Sequence, residues 1–276
     1  MKKWWCLLLV LLLAGCNERE QAVVSTWIWD TPTAIADARQ TVDFLAAQQI
    51  REVYVQYDPS ITDEQYASFF KQLKKQRINV FALDGHTAWL QKPSGMDNFT
   101  SWVTQFQQRY QLLDGVHADI EPYTLPDWVT NQATYITAYQ ALVETLQTIT
   151  DEFDIELQLA IPFWFDEVPL PSAVQGNVAE WLIDHADTVV MMAYRNQAAD
   201  VLPLVQQEID YANAVHKRVI VALETARSEE GANISFYDQP LQNLTDEVNE
   251  IHATLQQEKA YHGVAIHSYH SWREMK

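Results

Sequence analysis

Cysteine is nearly absent from this chain. The two in 276 residues are Cys6 and Cys16, so nothing beyond residue 16 can build a disulfide framework, a zinc–thiolate centre or a redox dithiol. Glycine is scarce as well, with seven residues. No GxGxxG or GxxxxGK[ST] run occurs among them, which leaves a phosphate-cradling nucleotide site without support. Positive charge is the third shortage: 18 Lys and Arg stand against 37 Asp and Glu, a formal net charge of −19. Such a surface repels nucleic acid and anionic lipid headgroups and suits neutral or cationic ligands better. Low-complexity tracts, interdomain linkers and short internal repeats are also missing. What is abundant is aromatic residues, with ten Trp and twelve Tyr.

The N-terminus carries an address. Lys2 and Lys3 precede the unbroken aliphatic run Leu7 to Leu13, and small residues then lead into Cys16. That layout reads as a secretory signal, shorter than the roughly 20 residues of a spanning helix. Its ending, Leu13-Ala14-Gly15-Cys16, resembles the lipobox of bacterial lipoproteins. The resemblance implies cleavage before Cys16, acylation of that residue, and attachment to the cell envelope through acyl chains. Asn17, where inner-membrane lipoproteins often carry Asp, leans towards the outer membrane. The expected division is a signal over 1–15, a lipidated tether over 16–24 and one domain over 25–276, expected to be a monomer.

From Ser25 onward, short β-rich runs alternate with stretches of helical periodicity. Strands are expected at Ser25–Asp30, Glu52–Asp58, Asn79–Asp84, Gly115–Glu121, Glu156–Trp164, Thr188–Tyr194, Arg218–Glu224 and His262–Tyr269. Helices are expected near 33–49, 62–76, 96–111, 130–150, 172–186, 200–216 and 241–259. Thr62 with Gln65 three residues on is a capping-box signal, and Asp200 is a candidate cap for the run that follows it. Eight strands alternating with helices in one chain of this length give the α/β class and a single (β/α)8 TIM barrel.

Active sites of that fold are assembled at the C-terminal ends of the strands. The expected strand ends bring Trp27 and Trp29, then Tyr54, Gln56 and Asp58, then Asp84, to one rim. They add Asp119 and Glu121, Trp164, Tyr194 and Arg195, Glu224, and His267 with Tyr269. On the fourth strand, period-two alternation sends Val116, Ala118 and Ile120 to the helix layer and His117, Asp119 and Glu121 into the barrel. Two neighbouring carboxylates raise one another's pKa, which is how a carboxylic acid stays protonated near neutral pH to act as a general acid. Sugar faces stack on aromatic platforms, which makes Trp27, Trp29 and Trp164 candidate contacts alongside Tyr54, Gln56 and Asp58.

Asp114-Gly115-Val116-His117-Ala118-Asp119-Ile120-Glu121 resembles the strand-four signature of family 18 glycoside hydrolases, Asp-Gly-x-Asp-x-Asp-x-Glu. The resemblance implies that Glu121 is the general acid/base. It also implies that Asp119 orients a substrate N-acetyl group whose carbonyl oxygen acts as nucleophile. His117 stands where the family has its middle Asp. Met192-Ala193-Tyr194 on strand six is similar to the family's Met-x-Tyr-Asp, which implies that Tyr194 holds the N-acetyl group. Arg195 replaces the Asp, and either excludes N-acetyl sugars or reads an acidic one. Trp272 falls roughly where the family keeps a Trp beneath the reacting sugar.

A second reading takes Glu121 with Glu224 on strand seven, resembling retaining barrel glycosidases. There the pair would act as acid/base and nucleophile about 5–5.5 Å apart. A third is a sugar-binding barrel without turnover, for which His117 and Arg195 speak. His267 is either a proton relay or a hydrogen-bonded barrel histidine. His117, Asp119, Glu121 and His267 lack any HExxH or comparable ligand spacing, so no metal and no other cofactor is expected. The expected partner is an oligo- or polysaccharide.

Overall fold

The computed structural model describes residues 22–171 and 175–276. The signal, the lipobox with Cys16, and residues 172–174 of one expected helix lie outside the described residues. Eight parallel strands close into a barrel in sequential order. They are β1 (Val23–Ile28), β2 (Glu52–Gln56), β3 (Asn79–Asp84), β4 (Gly115–Ala118), β5 (Glu156–Pro162), β6 (Thr188–Met192), β7 (Arg218–Glu224) and β8 (Tyr261–His267). The connections carry α1 (Thr31–Ala36), α2 (Ala38–Ala47), α3 (Asp63–Lys75), α4 (Asp97–Tyr110) and α5 (Trp128–Phe153). They continue with α6 (Val178–His185), α7 (Ala198–Val215), α8 (Leu241–Leu255) and the single turn α9 (Tyr269–Trp272). Among the described residues no helix is long and apolar enough to cross a membrane.

Sequence and structure differ mainly at the strand ends. The expected strands one, two, four, five, six and eight each run past the observed C-terminus, β4 by three residues. The cause is common to all: parallel pairing stops at the barrel rim, and the residues beyond it turn over the opening instead of pairing. At the other end β1 begins at Val23, so Val23 and Val24, expected in the tether, belong to the barrel wall. The expected first helix is divided at Asp37 into α1 and α2. Helix α7 begins after Gln197, which makes no side-chain cap, and Asp200 sits inside its first turn, where a carboxylate still favours the positive end of the dipole. The Thr62 capping box forms as read, with Gln65 N–H donating to Thr62 Oγ1 and Thr62 N–H to Gln65 Oε1.

Alternation along each strand sorts the core into two clusters. Outward residues such as Val53, Val80, Val116, Val189 and Val219 pack under the helices with Phe69, Phe70 and Phe106. Burying each of those phenylalanines contributes about 1.5–3 kcal/mol. The inward cluster is Val24, Trp27, Tyr54, Phe81, Leu83, Val190, Ile220, Ala222 and Ala265. Near the lower end of the barrel, Gln158 Nε2 donates to Glu52 Oε2 at 3.0 Å and Arg218 pairs with Glu156 at 2.7 Å. The interior is thus a filled plug, and chemistry is confined to its upper surface.

Candidate active site

Strand β4 delivers the central pair. Gly115 and His117 face inward, and the chain holds that face beyond Ala118 because Asp119 N–H donates to the Asp84 carbonyl at 3.1 Å. The approach is tight: a Cβ on Gly85 would lie 1.9 Å from the Asp119 carbonyl oxygen. Asp119 Oδ1 is buried with no hydrogen-bond partner. Burial, and after it the charge of Glu121, pushes the Asp119 carboxyl up to about 7, with His267 opposing. Glu121 is partly exposed, and its Oε1 accepts from Tyr123 O–H at 2.5 Å. Burial first, then the Glu121 charge, holds the Tyr123 phenol far above its ordinary range, so it stays a donor. Its ring meets Trp164 edge-on at 5.1 Å, and Trp164 is itself partly buried on the turn after β5.

The opposite wall comes from β1, β7 and β8. Trp29 Nε1 donates to His267 Nε2 at 2.8 Å, and His267 Nδ1 meets Glu224 Oε2 at 2.8 Å. Glu224 Oε1 accepts from Ala226 N–H at 2.6 Å. Both carboxylate oxygens of Glu224 are therefore engaged, as are both nitrogens of His267. Burial opposes a charge on His267, but the Glu224 hydrogen bond and the charges of Glu224, Asp119 and Glu121 outweigh it and raise its pKa. Protonation of Nε2 would remove the acceptor that Trp29 uses, so the bonded chain requires the neutral ring with its proton on Nδ1. Tyr194, just past β6, packs on the inner cluster with its ring 5.9 Å from His267. Its phenol is raised well above the ordinary range by burial, then by Glu224, Asp119 and Glu121.

Several expected contacts lie elsewhere. Trp27, Tyr54 and His117 are fully buried beneath the cleft, where no sugar reaches them. Tyr54 stacks on His117 at 3.8 Å and donates to Ser25 Oγ, while Trp27 Nε1 donates to His117 Nε2 at 3.1 Å. Burial pushes His117 down to about 3, so it is neutral. Tyr269 and Trp272 belong to the outer layer, packed on Phe44, because the chain turns outward into α9 immediately after β8. Asp84 shares the outward parity of Val80 and Ala82 and caps Gly85 N–H. Asp58 folds back on Ser60 N–H at 2.8 Å. Gln56 keeps inward parity with Tyr54 at the top of β2. Arg195 lies at the rim beside Tyr194.

The residues around the cleft that sequence reasoning missed are Tyr123, Gly85 and Tyr139. The last, on α5, buries a hydroxyl without a partner, and the charges of Asp119 and Glu121 add to burial in raising its pKa. Only Tyr123 had a signal, its place two residues after Glu121. Among the described residues no three His, Cys, Asp or Glu are grouped to hold a metal ion.

The barrel has the fold seen in solved structures of family 18 glycoside hydrolases. The chain is similar to a GH18 chitinase from Pseudoalteromonas aurantia at a TM-score of 0.61 and 14% identity, covering 90% of this chain and 94% of that one. A GH18 chitinase from Cycas revoluta in complex with (GlcNAc)3 gives 0.58 and 10% identity, over 91% and 96%. The spore cortex-lytic enzyme SleL of Bacillus megaterium gives 0.54 and 11%, over 89% and 70%. No protein-family model and no curated protein sequence matches the chain.

Proposed function

We propose that this chain is a glycoside hydrolase in which Glu121 is the general acid/base and Asp119 steers the reacting sugar. The observation that carries the reading is the Asp119–Glu121 pair. Two half-buried carboxyls follow one another on the inner face above β4, one with an enclosed, unpartnered oxygen and raised to about 7, the other bonded to Tyr123. Unequal environments of this kind separate the roles of two acids. The orphaned Asp119 Oδ1 is an acceptor suited to an acetamido N–H, whose carbonyl oxygen would then face the anomeric carbon, as the resemblance implies. Tyr194 is the donor closest in kind to the family's phenol at that place.

The engaged oxygens of Glu224 fit it to holding His267 better than to attacking a sugar. The reading extends to a cell-envelope or environmental polysaccharide as substrate, and to a monomer acylated at Cys16 and held at the outer membrane. The test is product release from chitin oligomers, peptidoglycan fragments, neutral β-glucans and uronate chains, with Glu121→Gln run beside wild type. Cleavage that the substitution abolishes is expected. Full activity in Glu121→Gln would end the assignment, and tight glycan binding without product would make the chain a sugar-binding barrel.

A further inference from the structure

We propose that Arg195 is a specificity residue that binds a carboxylate borne by the sugar polymer, so that the substrate class is acidic glycans. The inference rests on the glycan-cleft reading above. Arg195 directly follows Tyr194 at the rim, partly buried, with Cζ 5.2 Å from the ring centroid of Phe163, the first residue beyond β5. Its Nη1 donates to the Tyr194 carbonyl at 2.7 Å. Stack and tether together fix the plane of the guanidinium. A guanidinium has five N–H donors, and one is used here.

The partner is what is missing. Of the other partly buried cations, Lys74 and Arg218 are each paired with a carboxylate, Asp114 and Glu156, Arg273 is taken up by the Tyr269 hydroxyl, and Lys217 has no carboxylate partner among the described residues. Among the described residues no Asp or Glu lies within ion-pair distance of Arg195, although the chain has 37 of them. A cation held partly out of water favours an anion that completes it. Arg195 stands on the same rim as the acid pair, since Phe163 adjoins Trp164, which packs on the Tyr123 that binds Glu121.

The remaining charges sharpen the argument. Asp119, Glu121 and Glu224 line this opening, so a neutral sugar gains little from a fixed cation, whereas an acidic one needs it to offset their repulsion. The net charge of −19 does not decide the matter, because screening limits its reach to about 8 Å at physiological ionic strength. Arginine suits the task better than lysine, since its fork matches the two oxygens of a carboxylate. Two sugar acids present that group: the lactyl ether of a muramic acid and the C5 carboxylate of a uronic acid.

The experiment measures binding by calorimetry to Glu121→Gln protein, with and without Arg195→Gln or Arg195→Lys, and kcat/KM with Glu121 intact. The probes are oligosaccharides alternating N-acetylglucosamine and N-acetylmuramic acid, oligouronates, and the carboxyl-reduced form of each. The expected result is preference for one carboxylate form over its reduced counterpart. That preference falls about 10- to 100-fold in Arg195→Gln, and by less in Arg195→Lys, which keeps charge without the fork. Which series responds identifies the acid. Equal affinity for native and reduced forms, or a preference that Arg195→Gln leaves intact, overturns the proposal while leaving hydrolysis standing. Absence of binding to every glycan by folded protein overturns both.

Discussion

Replacing Asp119 by Asn is expected to stabilise the protein, and to do so increasingly as pH rises. The folded carboxyl is raised from 3.8 to about 7, first by burial and then by the Glu121 charge. Unfolded, it ionises near its ordinary value. Between those two values the native state holds a proton that the unfolded state has released, so wild-type stability falls by about 1.4 kcal/mol per pH unit. The raised group contributes its full stability below the unfolded pKa and has lost it once pH passes the folded pKa. Over about three units the loss approaches 4 kcal/mol, an upper bound because Asp119 keeps some contact with cleft solvent.

Urea unfolding of wild type and Asp119→Asn at intervals from pH 4 to 8.5 tests this. The other titrating groups move both curves, so the difference isolates Asp119 and its coupling to Glu121. It should be near zero at pH 4, where acid and amide are close in shape. It should grow through pH 5 and 6 and level off above pH 7 at about 2–4 kcal/mol, with m unchanged. A domain of this size would show that as a Tm higher by about 4–16 °C. Glycoside cleavage should fall sharply in the same variant, since activity and stability then make opposite demands on one carboxyl. A difference independent of pH, or one that shrinks as pH rises, would refute the placement of Asp119 as a buried acid.

Gly85→Ala should cost about 3 kcal/mol or more by urea midpoint and lower kcat, because the new methyl meets the Asp119 carbonyl at 1.9 Å and shifts the acid above β4. Tyr123→Phe removes the bond to Glu121 Oε1 and should reduce kcat about 10- to 100-fold with little change in KM; unaltered kcat would deny that bond a role. Glu224→Gln should lower the His267 pKa seen by NMR titration. Its stability deficit should be larger at pH 5 than at pH 8, because a raised imidazole contributes below its unfolded pKa and loses that contribution as pH rises. Glu208 on α7 is raised from 4.5 to about 8 by burial, so Glu208→Gln should gain about 3 kcal/mol at pH 7 with catalysis unchanged.

The barrel was legible because its signal is periodic and repeated. Eight β-rich runs alternate with helical stretches, and each βα unit repeats the direction of the last. The inward stripe of β4 was legible for the same reason, since alternation through Val116, Ala118 and Ile120 leaves His117, Asp119 and Glu121 no other face. Depth along a strand was not. Trp27 and Trp29 have the same parity, yet one is buried plug and the other reaches His267, because only tertiary closure sets how high a residue stands above the plug. Tyr269 and Trp272 were misplaced by a related gap: nothing in their spacing reveals that the chain turns outward after β8. Tyr139 feels the charge of the acids from the middle of a helix, a position set by how α5 lies on the barrel.

The departures from the family pattern cohere once placed in space. With His117 neutral beneath Tyr54 and Trp27, no third acid lies below Asp119 to exchange a proton with it. The proton that Asp119 binds near neutral pH is then lost as pH rises through about 7, with no buried acid below to take it. The protonation of Asp119 therefore answers to pH directly. On the opposite wall, the Glu224–His267–Trp29 chain sets the orientation of an indole facing the opening, and its integrity requires a neutral His267. Falling pH therefore acts on both walls at once, protonating Asp119 and removing the acceptor that holds Trp29. Activity should decline on the acid side for two separable reasons, and Trp29→Phe, which needs no acceptor, should remove one of them. A kcat/KM profile whose acid limb is equally steep in wild type and Trp29→Phe would show that the indole is not held through His267.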